Sequence, residues 1–99
     1  GKSTLSVTRL GVGTVPIGGM FEAVAEETAE TTLLRSFELG IRYYDTAPLY
    51  GNGVAELRLG RFLRAIPRED IVLATKVGRL PQPRPPVPPR LRRFPAIAL

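Results

Sequence analysis

Ninety-nine residues without a cysteine or a histidine exclude disulfide staples and thiolate or imidazole metal sites. No apolar run approaches the ~18 residues of a membrane-spanning helix. The net charge of +5 is local: residues 1–78 hold nine Lys/Arg and nine Asp/Glu, and the excess is Arg79, Arg84, Arg90, Arg92 and Arg93. The basic balance therefore reports a tail and not a basic domain face, and neither a nucleic-acid nor a membrane partner is expected.

Gly1-Lys2-Ser3-Thr4 matches the end of a phosphate-binding loop, but such a loop also needs a preceding strand and an earlier glycine. A disordered terminus is expected here. Nothing behind it has the apolar core of a secretion signal, and a cytoplasmic setting is expected. Residues 5–14 alternate weakly and are rich in Val, Leu and Thr, which predicts a short strand with a possible hairpin arm before it. Gly11, Gly13, Gly18 and Gly19 then bring the backbone into a loop. A dinucleotide fingerprint requires Gly-x-Gly-x-x-Gly opening into a helix, whereas this stretch reads Gly11-Val12-Gly13-Thr14-Val15-Pro16.

Over 25–39, Ala29, Leu33, Leu34 and Phe37 fall at helical spacing, and Glu26, Glu27 and Glu30 place negative charge at the positive end of the helix dipole. Gly40 is the expected stop. A strand over 41–45 ends on Asp45 and leads into a loop punctuated by Pro48, Gly51 and Gly53. Residues 54–63 repeat the amphipathic pattern, with Leu59, Phe62 and Leu63 on one side and Arg58, Arg61 and Arg64 interleaved. Pro67 closes that helix and Arg68-Glu69-Asp70 turns the chain. The continuous apolar run over 71–75 predicts a parallel strand buried on both faces. Strand alternating with helix is the start of a parallel α/β sheet.

The stretch 40–60 carries Gly40-x-Arg42-x-x-Asp45-Thr46-Ala47, then Tyr50-Gly51, then Glu56-x-x-Leu59-Gly60. It closely resembles the N-terminal signature of the aldo-keto reductases. Ala74-Thr75-Lys76-Val77-Gly78 resembles that family's third-strand motif, and Leu10-Gly11-Val12-Gly13-Thr14 its first strand. Three motifs in this order cover residues 5–80, and the loop 48–53 with the run 76–80 resembles the branch of aldose and pyridoxal dehydrogenases. The resemblance implies the N-terminal fragment of a (β/α)8 barrel, about three units of a fold that takes about 250 residues. The implied function is NAD(P)-dependent oxidoreduction of aldehydes, ketones, sugar alcohols or aldoses.

By the same resemblance, Asp45, Tyr50 and Lys76 are catalytic. Gly13, Thr14, Val15 and Asp45 lie against NADP or NAD, and the partner is a small carbonyl or sugar substrate. Carbonyl reduction needs an acid for the developing alkoxide. A free tyrosine has a pKa of ~10, and a nearby ammonium favours its phenolate. Tyr50 with Lys76 meets that need, and Asp45 can hold the lysine by a charge-assisted hydrogen bond. Singly, each residue has an ordinary reading: a cap, a packed loop phenol, a solvated lysine. The glycines have one too, as a tight turn. Glu56 is expected to be structural, a helix-start carboxylate holding a backbone amide. The family's catalytic histidine has no counterpart in a chain without histidine, so the 99 residues alone are expected to be inactive.

Pro81-Gln82-Pro83-Arg84-Pro85-Pro86-Val87-Pro88-Pro89-Arg90 holds six prolines, which rules out a helix or an inner strand. Residues 81–99 are expected to be a disordered tail, with an out-of-frame or truncated gene product the favoured origin. The alternative is a non-catalytic interaction module at 81–90, whose Pro-x-x-Pro-x-Arg pattern suits an SH3-type groove. A basic anchor through Arg90, Arg92 and Arg93 ranks below it.

Overall fold

The structure, a computed structural model, describes residues 1–83. The Pro-x-x-Pro-x-Arg motif and the remainder of the tail lie outside the described residues. Three short strands, β1 (Val12–Gly13), β2 (Tyr43–Asp45) and β3 (Val72–Ala74), form one sheet in the order β1-β2-β3. Both pairings are parallel, with Gly13, Asp45 and Ala74 abreast. The crossovers are α1 (Glu26–Glu38) and α2 (Val54–Leu63). The α/β order expected from the sequence is the one observed.

Helix α1 ends where Gly40 turns the backbone left-handed at φ +94°. Gly40 N–H donates to Phe37 O (3.0 Å) and Ile41 N–H to Ser36 O (3.1 Å), so two terminal carbonyls are satisfied as the chain turns into β2. From α1, Ala29 and Leu33 are fully buried, and Leu59 and Phe62 of α2 join them in one core cluster; Ala55 is fully buried as well. Among the described residues Tyr44 is the largest fully buried side chain. Its hydroxyl lies 2.9 Å from Ser36 Oγ, and its ring centroid 5.2 Å from that of Phe62. Burying side chains of this size stabilises by roughly 1.5–3 kcal/mol each.

The first strand is shorter than its apolar pattern predicts. Only Val12 and Gly13 find partners on β2, and no hairpin arm forms before them. Thr8 instead donates to Leu10 O (2.7 Å) and accepts the Arg42 N–H (3.1 Å), a local alternative to a ladder. Leu5, Val7 and Leu10 stay exposed. Strand β3 is also less covered than expected. Its three residues are half-buried, and only Ile71 just before it is buried, because the helices cover one face alone.

Side-chain parity along the strands assigns each residue to one of the two faces of the sheet. Successive strand residues point to opposite faces. Val12, Tyr44 and Leu73 share the helix-covered face and join the core. Gly13, Asp45 and Ala74 share the other face. The next rung, Thr14, Thr46 and Thr75, returns to the helix side.

Candidate active site

Asp45 is the last residue of β2, and Lys76 lies two residues past the end of β3. By parity both belong to the face away from the helices. The Lys76 ammonium donates to Asp45 Oδ1 (3.1 Å), Asp45 Oδ2 (3.0 Å) and the Thr46 carbonyl (3.0 Å), which occupies its three N–H donors. It also lies 5.0 Å from the centroid of the Tyr50 ring, within cation–π range. The Asp45 carboxylate, and after it the Tyr50 hydroxyl, hold the Lys76 pKa above its ordinary value. The ammonium is therefore charged at every physiological pH. The structure thus gathers the three side chains singled out as catalytic, at the C-terminal end of β2 and in the segments that follow β2 and β3.

Tyr50 is placed by its backbone. Its N–H donates to Ala47 O (3.1 Å) and its carbonyl accepts from Ala55 N–H (3.1 Å). A Cβ on Gly18 would stand 2.9 Å from the Tyr50 carbonyl carbon, and one on Gly51, at φ +63°, would run into the Gly18 carbonyl. Two bare backbones lie against each other here, which fixes the β1–α1 loop beside the phenol. Arg58 of α2 fastens the far side of that loop. Its guanidinium donates to Ile17 O (2.6 Å), Val24 O (2.8 Å) and Glu26 Oε2 (3.0 Å), and its side chain is 13% exposed. The spacing of Arg58 in the sequence gave no sign of this second function.

The residues expected at a cofactor divide. Gly13 is exposed, with nothing within 4 Å of the position a Cβ would take. Val15 is half-buried. The Thr14 side chain is fully buried, and its hydroxyl donates to Thr46 Oγ1 (2.8 Å). Parity turns Thr14 toward the helices, where it ties the ends of β1 and β2 together. Glu56 also differs from expectation. No side chain caps α2, and Glu56 Oε1 accepts the Thr75 hydroxyl (2.8 Å) instead. Thr46 and Thr75 were missed, although a threonine directly after each of three strands is a visible signal.

Beside the Tyr50 loop an open cleft of about 960 Å³ is lined by Gly18, Met20, Leu49, Asn52, Arg79 and Leu80, among others. Loops following all three strands supply its walls.

Residues 9–93 match the sequence profile of the aldo/keto reductase family. The chain belongs to this family. Among curated relatives of this aldo/keto reductase segment, D-threo-aldose 1-dehydrogenase of a Pseudomonas species is 46% identical over 81 residues, 82% of this chain and 25% of that protein. Pyridoxal 4-dehydrogenase of Microbacterium luteolum is 44% identical over 96 residues, 91% of this chain and 28% of that protein. L-galactose dehydrogenase of Arabidopsis thaliana is 43% identical over 81 residues, 80% and 25% respectively. The chain thus spans about a quarter of the length of these relatives. The family match runs past Leu80 into the proline-rich stretch.

Proposed function

We propose that this segment is the N-terminal part of a (β/α)8 oxidoreductase that interconverts a carbonyl and an alcohol on a small aldose or aldehyde, using NADPH or NADH. The observation carrying this reading is the Lys76 ammonium, held by both Asp45 oxygens and the Thr46 carbonyl beside the Tyr50 ring. The relatives' names, all dehydrogenases, support the same class.

The cofactor's surroundings fit a flat ring. Gly13 offers bare backbone with open space above it, with Asp45 abreast of it on the same face and Val15 at the edge. When bound, a nicotinamide supplies or accepts the hydride at the reacting carbon. Tyr50 donates its phenolic proton to the developing alkoxide oxygen in reduction and takes it back in oxidation. Lys76 keeps a fixed positive charge at the phenol and stabilises the phenolate left after proton donation. Asp45 holds that charge in place and neutralises it when the phenol is intact. The Thr14 hydroxyl braces the end of β2 through Thr46.

The test is turnover by the natural polypeptide, following NADPH or NADH absorbance with aldoses and small aldehydes, and the reverse reaction with NADP or NAD. Tyr50→Phe is expected to lower kcat about 10²- to 10⁴-fold while cofactor binding stays within about twofold. Wild-type turnover by Tyr50→Phe would overturn the assignment.

A further inference from the structure

Lys76 lies beyond the last strand pairing. The β2–β3 register ends at Asp45 opposite Ala74, and the final backbone bond of that ladder is Thr46 N–H to Ala74 O (2.9 Å). Thr75, Lys76, Val77 and Gly78 are all exposed, and Gly78 has a positive φ of +103°. A lysine on such a stretch has four rotatable side-chain bonds and a backbone past the last strand pairing, yet its ammonium is required at one spot beside Tyr50.

The first turn of α2 supplies the missing restraint. Ala55, fully buried, donates its N–H to the Tyr50 carbonyl (3.1 Å). Glu56, the next residue, accepts the Thr75 hydroxyl (2.8 Å). Adjacent residues of one helical turn therefore hold the chain at Tyr50 and the chain next to Lys76. Parity does the rest: with Thr75 fastened on the helix side, the neighbouring residue must point to the opposite face, where Asp45 stands.

We propose that Glu56 and Thr75 are positioning residues that keep the Lys76 ammonium registered on Asp45 and Tyr50 during proton transfer. This rests on the carbonyl–alcohol reading above. Neither residue touches substrate. Losing their bond leaves the core and the cofactor surface unchanged and lets Lys76 wander, and a misplacement of ~1 Å can cost ~10²-fold in rate.

The experiment is steady-state kinetics of the natural polypeptide carrying Thr75→Val, Glu56→Ala, both together, Thr75→Ser and Glu56→Gln, with Tyr50→Phe alongside. Expected are kcat values about tenfold or more below wild type for Thr75→Val and Glu56→Ala, with KM for cofactor and substrate within about twofold. The double variant should be no worse than either single, because both remove the same bond. Thr75→Ser keeps the donor and Glu56→Gln keeps an Oε1 acceptor, so both should stay near wild type. If Thr75→Val fails to fold, Glu56→Ala against Glu56→Gln carries the comparison. Wild-type kcat in Thr75→Val and Glu56→Ala, or a fall that Thr75→Ser and Glu56→Gln do not restore, overturns the positioning role while the carbonyl–alcohol reading stands. No turnover by wild type, or full turnover by Tyr50→Phe, overturns that reading and the positioning role with it.

Discussion

Asp45 raises the pKa of Lys76, and the sign of that linkage is testable. A lysine whose folded pKa exceeds its ordinary 10.5 gives the ion pair its full contribution below that value and loses it as pH rises through the folded pKa. Replacing Asp45 with Asn should therefore lower the Lys76 midpoint toward 10.5, read from the carbon next to its Nζ in an NMR titration. An unchanged midpoint would mean that Asp45 is not the main partner. Glycines make a second contrast. Gly51→Ala meets a left-handed backbone and the Gly18 carbonyl together, so a stability loss above ~1 kcal/mol is expected in urea denaturation. Gly13→Ala meets nothing and should stay within ~0.5 kcal/mol of wild type, while weakening cofactor binding measured by fluorescence titration. Asp45, Tyr50 and Lys76 were legible in the sequence because each sits in a short motif. The burial of Thr14 and the partner of Glu56 were not, because both depend on which face a residue takes once strands and helix are assembled.

At the scale of elements, α1 and α2 are joined by core packing and by one acidic side chain. Glu26, in the first turn of α1, pairs with Arg58 and Arg61 of α2. The hydrogen bond from Arg58, opposed by partial desolvation and aided by both positive charges, holds its carboxyl below the ordinary 4.5. A lowered carboxyl contributes fully above 4.5 and loses that contribution as pH falls through its folded pKa. The stability difference between wild type and Glu26→Gln, followed by thermal unfolding, should thus shrink on acidification below about pH 4.5. A difference that stays constant from pH 7 to 3 would remove the pair from the account. Leu33→Ala, at a fully buried site of α1, should cost about 2–5 kcal/mol. Both helices were legible to within a residue or so because their apolar spacing is regular. The strands were legible in place but not in extent, since a strand's ends are set by its neighbour's hydrogen bonds.

Across the whole molecule, the sheet has β1 and β3 as outer strands, each with one side unpaired among the described residues. Phe21, Val77 and Leu80 are 71–96% exposed. Open strand edges beside apolar surface favour edge-to-edge association, so the 99-residue chain expressed alone should self-associate, seen as concentration-dependent sedimentation. A single monomeric species across a tenfold or wider concentration range would refute that. The parallel α/β order was legible from the alternation of patterns. Each strand also works as a counting device: along β3, which face a side chain serves is decided by whether its number is odd or even relative to Leu73. Deleting one residue between Leu73 and Lys76 would leave the hydrophobic core almost intact and deliver the lysine to the wrong side of the sheet. Arg79 and Leu80, on the wall of the cleft, lie past the last ladder bond and are under no such arithmetic, so the turn that carries them can change length while the charged pair stays in step.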